Sequence, residues 1–131
     1  MPETTTGIGI SEVGVVMVPV TDQDRALEFY TEKLGFEKRS DTPFGNGDRW
    51  IEVAPAGAAT RISLVAPGDR GPVGGDARIA FATADVQAAH SELTSRGVDV
   101  DAEIMRMGDP VPPMFWFRDP DGNSLLIVQQ A

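Results

Sequence analysis

The stretch MFWFRDPDGNSLLIV, residues 114–128, decides the fold of this chain. Aromatic and aliphatic residues, which favour strands, flank the sequence DPDGN, which favours a turn. In that turn Pro120 fixes its own φ, Gly122 tolerates a positive φ, and Asp side chains can accept hydrogen bonds from free backbone amides. The stretch therefore predicts a β-hairpin, and we interpret Asp119 and Asp121 as turn residues.

The composition bounds the class of protein. A chain of 131 residues, 41% hydrophobic and 24% charged, is typical of one soluble globular domain. Its 20 acidic and 11 basic residues give a net charge of −9 without a basic cluster, which argues against nucleic acid and membrane surfaces as partners. The absence of cysteine excludes disulfides and thiolate chemistry. The polar residues 1–9 do not resemble a signal peptide, and no apolar run approaches the about 20 residues that span a bilayer, so we expect a cytoplasmic protein.

The same order of elements is predicted twice along the chain. Each half begins with a strand, continues with a capped helix that ends at a glycine, and then gives three further strands. In the first half these are a strand at 13–20, a helix from Thr21 or Asp22 to Leu34 ending at Gly35, and strands at 36–41, 50–53 and 61–65. In the second half they are a strand at 78–83, a helix from Asp85 to Arg96 ending at Gly97, a strand from Val98 to Val100, and the hairpin.

The spacing of matching positions indicates an internal repeat. Val15, Asp22 and Gly35 correspond to Arg78, Asp85 and Gly97, with offsets of 63, 63 and 62 residues. A repeat of a supersecondary unit is a signal about the whole fold. We therefore predict a single domain over residues 1–131, with module one at about 13–66, a Gly/Pro-rich linker at 67–76 and module two at about 77–129.

Three segments carry a resemblance to a known family. They are VPVTDQDRALEFYTEKLGF (18–36), ADVQAAHSELTSRGV (84–98) and FRDPDGN (117–123). The chain resembles the vicinal oxygen chelate superfamily, which includes glyoxalase I, bleomycin- and fosfomycin-resistance proteins and extradiol dioxygenases. The resemblance implies an α+β fold of two tandem βαβββ modules, which form a curled, cup-like mixed sheet with the helices outside. It also implies a homodimer.

The resemblance further implies where a metal would bind. Metal-using members place His, Gln or Glu on the first and last strand of each module, where the ion acts as a Lewis acid or binds oxygen. In this sequence those four positions are Val15, Ser63, Arg78 and Leu126. None is a plausible ligand, and Arg78 places a cation where the ion would sit. We therefore predict neither a metal nor another cofactor.

Strand alternation selects candidate ligand-binding residues. If position 126 faces the cup, the family register places Met114 and Trp116 inward and packs Phe115 and Phe117 beneath the helices. Met17 shares a face with Val15, and Trp50 or Ile51 lies on the third strand. The predicted ligand-binding residues are Met17, Trp50, Ser63, Arg78, Met114 and Trp116.

Several of these residues have two interpretations. Arg78 could form a fork for an anionic ligand or a structural salt bridge with Glu52 or another acidic residue of the sheet. Trp50 and Trp116 could stack on a planar ligand or pack in the core or a dimer interface. Met114, with Met105 and Met107, could form an adaptable apolar wall or simply fill gaps.

Two further residues are predicted to have no catalytic part. The sole histidine, His90, is expected at the surface or the boundary of a helix outside the cup, and Tyr30 is expected in the core. Because the chain has no other histidine and no cysteine, few of its residues could form a catalytic nucleophile–base pair.

Three functions remain open on the sequence. The first is a metal-free homodimer that binds a small organic molecule in the sheet cavity, for example to sequester an antibiotic. The second is a lyase, isomerase or dioxygenase that holds metal elsewhere or uses Glu52, Asp41 or Asp48 for acid–base chemistry. The third is a regulatory ferredoxin-like domain, whose βαββαβ order lacks one strand in each half.

Overall fold

The computed structural model describes residues 8–45, 47–66 and 73–130. Within them the chain forms eight strands and two helices. The strands are β1 (Val15–Pro19), β2 (Glu37–Phe44), β3 (Asp48–Ala54), β4 (Arg61–Val65), β5 (Asp76–Thr83), β6 (Asp99–Val100), β7 (Met114–Arg118) and β8 (Ser124–Gln129). The helices are α1 (Gln23–Glu28), which continues as a π-helical turn at Phe29–Lys33, and α2 (Val86–Ser95).

The strands form two four-stranded sheets with the same topology. The first sheet has the order β1-β4-β3-β2 and the second has the order β5-β8-β7-β6. In each, the module's first strand is parallel to its last, and the remaining pairs are antiparallel. This confirms two βαβββ modules and excludes the ferredoxin-like order.

The helix boundaries follow the predicted caps. Asp22 and Asp85 each accept a hydrogen bond from the backbone amide three residues later, at 3.0 Å in both cases. Gly35 and Gly97 take φ values of 76° and 80° and end the helical segments. The π-helical turn accommodates one extra residue in module one, which explains why the repeat offset falls from 63 to 62 between cap and glycine.

Both modules contribute to one hydrophobic core. The residues that point to the helix side of each sheet are buried together with the apolar faces of the helices, and each fully buried large side chain contributes about 1.5–3 kcal/mol. The fully buried members include Val18, Tyr30, Ile51, Val53, Leu64, Phe115, Phe117 and Leu125. The alternation predicted for β7 is confirmed, because Phe115 and Phe117 are buried while their neighbours are not.

A local two-fold relation joins the modules. The Lys33 ammonium donates to the Arg96 carbonyl at 2.8 Å, and the Arg96 guanidinium donates to the Lys33 carbonyl at 2.9 Å. Because these residues are 63 positions apart, they are equivalent in the repeat. The two helix ends therefore meet on the approximate two-fold axis of the chain.

The boundary between the predicted linker and module two differs from the expectation. Strand β5 begins at Asp76, inside the predicted linker, and residues 67–72 of that linker lie outside the described residues.

Among the described residues, no helix has both the length and the apolar character needed to cross a membrane.

Candidate ligand-binding site

Each sheet has one face that carries no helix, and we call these the two open faces. On the open face of the first sheet, Met17 lies beside Ser63 in the parallel ladder, and Ser63 lies opposite Glu52. Since side chains alternate along a strand, Trp50 and Arg61 share this face. Met17 is 55% exposed, so the face is accessible.

A polar network crosses this open face. Trp50 Nε1 donates to Glu52 Oε2 at 2.9 Å, and the other oxygen of Glu52 lies 2.9 Å from Arg61 Nε. Beside it, Ser63 is fully buried and its hydroxyl has no hydrogen-bond partner among the described residues. A buried polar atom without a partner typically costs about 1–3 kcal/mol, so Ser63 stands out as a group that a ligand could satisfy.

The open face of the second sheet is mostly apolar. Trp116 pairs with Leu126, and Leu126 pairs in turn with Ala80. Met114 pairs with Val128 in the next row of the same face. Met114 and Trp116 are half-buried, as expected for side chains on a partly covered sheet surface.

Arg78 occupies an unusual backbone position. The β5–β8 register shifts between Asp76 and Ala80, and Arg78 in this bulge has a φ of +58°. This left-handed conformation costs a non-glycine residue about 1–2 kcal/mol. The Arg78 side chain is exposed and forms no ion pair with the part of the chain that the structure describes. The predicted alternative of a salt bridge with Glu52 or another acidic residue is not observed among the described residues, where Glu52 pairs with Arg61 instead.

The structure brings the predicted binding residues together in two groups. Met17, Trp50 and Ser63 share the first open face, and Met114 and Trp116 share the second. Within the described residues, the ladders join each group inside its own sheet and do not join the two sheets. Arg78 lies on the edge strand β5, where it lines a cavity with Ala80 and with Val16 and Ile62 of module one. A ligand-binding role for these residues stays a prediction.

The residues at the family's metal positions do not fit a divalent ion. The side chains of Val15 and Leu126 offer no donor atom, Arg78 is a cation, and Ser63 would supply one hydroxyl. The described residues also contain no group of three or more His, Cys, Asp or Glu side chains placed to hold a metal. No catalytic step is therefore assigned to a metal.

Two of the three candidate acid–base residues, Asp41 and Glu52, are held in ion pairs, whereas Asp48 forms none within the described residues. Both oxygens of Asp41 accept hydrogen bonds from Arg49, at 3.0 and 2.9 Å, and this bonding lowers the pKa of the Asp41 carboxyl. Glu52 is bound by Trp50 and Arg61. A general acid or base works best with a pKa near the working pH, so the geometry of Asp41 does not support that role.

His90 lies at the boundary, as predicted. Its Nε2–H donates to the Asp101 carbonyl at 2.8 Å, and its ring packs edge-to-face on Phe115 with centroids 4.9 Å apart. These contacts hold α2 on the second sheet. His90 therefore has a structural role in this geometry.

One buried bond was not foreseen from the sequence. Tyr30 is in the core as expected, but its hydroxyl also donates to Asp119 Oδ2 at 2.9 Å across the module boundary. Asp121 in the same turn binds Thr21 and Arg25 of module one. The turn is confirmed and is also an inter-module contact, which nothing in the local sequence signals.

Comparison with known proteins identifies the family. A family model described as the glyoxalase/bleomycin resistance protein/dioxygenase superfamily matches residues 12–127. The chain is 35% identical over 126 residues to YetH of Bacillus subtilis (strain 168), covering 92% of this chain and 99% of YetH. The chain belongs to the glyoxalase/bleomycin resistance protein/dioxygenase superfamily.

Solved structures agree with this placement. TnmS3 from Streptomyces sp. CB03234, described as an antibiotic binding protein, is 37% identical with a TM-score of 0.82, covering 95% of this chain and 100% of TnmS3. A superfamily member from Sphaerobacter thermophilus DSM 20745 is 36% identical with a TM-score of 0.82, covering 92% and 98% of the two chains.

Proposed function

We propose that this protein binds a small organic molecule between its open sheet faces without a metal ion. The observation that carries the proposal is the donor set at the four family metal positions, Val15, Ser63, Arg78 and Leu126, which does not suit a divalent cation. The similarity to TnmS3, an antibiotic binding protein, supports binding as the function and an antibiotic as one class of ligand.

The side chains on the open faces suggest the chemistry of the ligand. Trp50 and Trp116 offer flat aromatic surfaces, and Met17 and Met114 offer adaptable apolar contacts. Among the described residues, the buried polar atoms on these faces without a hydrogen-bond partner are the Ser63 hydroxyl and Arg61 Nε, and Arg61 is ion-paired with Glu52, which leaves Ser63 as the group without any partner. Together with the net charge of −9, this favours a planar, largely apolar molecule that is neutral or cationic.

A second copy of the chain would complete the cavity. The open faces lie on separate sheets whose first strands, β1 and β5, are both edge strands. Ile8, Ile10, Val13 and Met17, in and before β1, are 55–88% exposed. In a two-fold dimer, β1 of each copy would pair with β5 of the other copy. This pairing would cover the exposed residues in and before β1. It would also bring the first open face of one copy next to the second open face of the other.

The metal content and the binding reaction can be measured on the same preparation. Mass spectrometry of protein purified without chelator should find well below one equivalent of Zn, Ni, Mn or Fe per chain. The Trp50→Phe variant leaves Trp116 as the only tryptophan, so its fluorescence reports on the second open face. A panel of antibiotics that includes bleomycin should contain a molecule that changes this fluorescence saturably.

Matched variants locate the bound molecule. Trp116→Ala should weaken binding by about tenfold, because an aromatic contact contributes about 0.5–1.5 kcal/mol beyond its buried area. Ser91→Glu on exposed α2 should leave binding unchanged. A stoichiometric metal whose removal abolishes binding or turnover would refute the metal-free proposal.

The oligomeric state tests the completed cavity. Sedimentation should show a dimer, and Met17→Glu should give a monomer with weaker binding, because it buries a charge at the proposed contact. Ser91→Glu adds the same charge on α2 and should remain dimeric. A wild-type monomer that binds with full affinity would contradict this arrangement.

A further inference from the structure

A second cavity lies between the two modules on the helix side of the sheets. It has a volume of about 290 Å³ and opens beside α2. Its wall is formed by Phe36, Phe81, Phe117, Leu93 and Ile127, and Lys33, Glu92 and Arg96 lie around it. Its lining includes none of the predicted ligand-binding residues of the open faces.

The local two-fold relation explains why this cavity exists. In one copy of the repeat, Tyr30 reaches across and donates to Asp119. The residue equivalent to Tyr30 is Leu93, 63 positions later. Glu52 and Trp116 are equivalent, because they pair with Ser63 and Leu126 on the last strands of their modules. Three residues after them come Pro55 and Asp119, so Pro55 is the equivalent of Asp119.

The substitution of these two partners leaves space. Leu93 is shorter than Tyr30 and has no hydroxyl, and Pro55 has no side-chain acceptor. Both line the cavity. Ala26, the equivalent of Ala89, is fully buried, whereas Ala89 lines the cavity and is only half-buried. The cavity therefore lies at the position that is equivalent, by the local two-fold axis, to the Tyr30–Asp119 contact. Tyr30 and Asp119 fill that space on one side of the axis, and Leu93 and Pro55 leave it open on the other.

The wall of this cavity favours an aromatic molecule. The rings of Phe36 and Phe81 are edge-to-face with centroids 5.3 Å apart, and those of Phe81 and Phe117 are 6.5 Å apart. Such rings offer both faces and edges to a further ring. The volume is close to the lower bound of about 300 Å³ for ligand pockets and exceeds the about 150 Å³ that holds benzene, so one or two fused rings would fit.

The charges around the cavity favour an anion. Lys33 and Arg96 are cationic and Glu92 pairs with Arg96 at 2.7 Å, so one positive charge remains uncompensated among these three residues. The chain as a whole has a charge of −9, so this local excess of positive charge is a departure from the rest of the molecule. We infer that the inter-module cavity is a second binding site, which takes a small aromatic carboxylate independently of the open faces.

Nuclear magnetic resonance with 2-naphthoate tests this inference on the wild-type protein. Intermolecular Overhauser contacts should connect the naphthalene ring with Phe81 and Leu93, and shifts should saturate with a Kd of about 1 mM or below. Contacts with Trp116 instead, or no saturable shift up to about 5 mM, would overturn the inference.

Paired variants on α2 give a second measurement. Ala89→Leu places three more carbons in the cavity and should weaken 2-naphthoate binding by about tenfold or more, because the larger side chain takes up volume that the bound ring needs. Ala88→Leu makes the same change at an exposed position and should have no effect. Equal affinity in both variants would place the ligand elsewhere.

The anion preference has its own control. Lys33→Met should weaken binding of 2-naphthoate by up to about fivefold, as expected for an exposed charge. Binding of the neutral alcohol 2-naphthalenemethanol should change less. A ratio of the two affinities that is unchanged by Lys33→Met would overturn the assignment of a carboxylate.

Discussion

Replacing Tyr30 with Phe tests the contact that holds the two modules together. The change removes one oxygen, the hydroxyl that donates to Asp119 Oδ2 at 2.9 Å, and keeps the ring in the core. Tyr30 is 0% exposed and Asp119 is 5% exposed. After the change, Asp119 still accepts from the amides of Asp121 and Asn123 and from the Asn123 side chain, so the turn itself is retained.

The expected loss of stability follows from the charge of the acceptor. A hydrogen bond to an ionised group contributes about 1.5–3 kcal/mol, and a buried carboxylate oxygen that loses a donor is not fully compensated by water. Tyr30→Phe should therefore lower the free energy of unfolding by about 1.5–3 kcal/mol.

The same bond predicts a pH dependence. Burial, followed by the negative charge of Asp119 and the hydrogen bond to it, raises the pKa of the Tyr30 hydroxyl far above its ordinary value. Above about pH 10 the unfolded chain releases this proton while the folded chain keeps it, so folding loses up to about 1.4 kcal/mol per pH unit. Tyr30→Phe should remove this component, since Tyr30 is the only tyrosine.

Both effects can be measured with simple assays. Urea denaturation at fixed protein concentration gives the free energy of unfolding. Ser95→Ala serves as the control, because it removes an exposed hydroxyl that is hydrogen-bonded to the Glu92 carbonyl. This control should lower the free energy of unfolding by less than about 0.5 kcal/mol. Absorbance at 295 nm follows ionisation of Tyr30. A tyrosine that ionises near pH 10 in the folded protein, or a Tyr30→Phe variant as stable as the control, would refute the assigned bond.

Three further changes have definite expected outcomes. Gly74→Ala should lower the free energy of unfolding in urea by at least about 1 kcal/mol, because φ at Gly74 is +89° and the Asp121 carbonyl oxygen lies 2.8 Å from the added Cβ. In the control Gly75→Ala the added Cβ meets no atom within 4 Å, so its effect should be near zero. Asp85→Ala removes the cap of α2 and should cost about 0.5–2 kcal/mol, and unchanged stability would show that the cap bond contributes nothing. Arg49→Met should raise the Asp41 pKa toward its ordinary value in a carbon-13 titration, since the Arg49 hydrogen bond is the main cause of its lowering.

The predictable part of the structure is the part that depends on short stretches of chain. Caps at Asp22 and Asp85 need only the amides three residues later. The inward and outward faces of β7 follow from alternation alone, which placed Trp116 opposite to Phe115 and Phe117. The two modules followed from the repeat, because equal spacing of cap and glycine reflects equal supersecondary units.

The candidate site was predicted less completely, and Arg78 shows why. The repeat offset aligned it with Val15, but the chain inserts a bulge there and turns Arg78 into the left-handed region. A bulge leaves no clear pattern in the local sequence, so register could not be followed through it. The predicted pairing of Arg78 with Glu52 failed for a related reason. Arg61 and Arg78 are both candidate partners in the sequence, and only the strand pairing shows that Arg61 lies next to Glu52.

The sequence by itself determined the two βαβββ modules, the faces of β7 and the side chains at the four positions where the resemblance expects metal ligands. These depend on backbone periodicity and residue identity. The tertiary structure alone decided that Asp119 binds Tyr30, 89 residues away, and that Leu93 and Pro55 leave the equivalent place open. Such contacts depend on how two packed modules meet. That packing is set by the sum of many buried side chains, and no short stretch of sequence contains it.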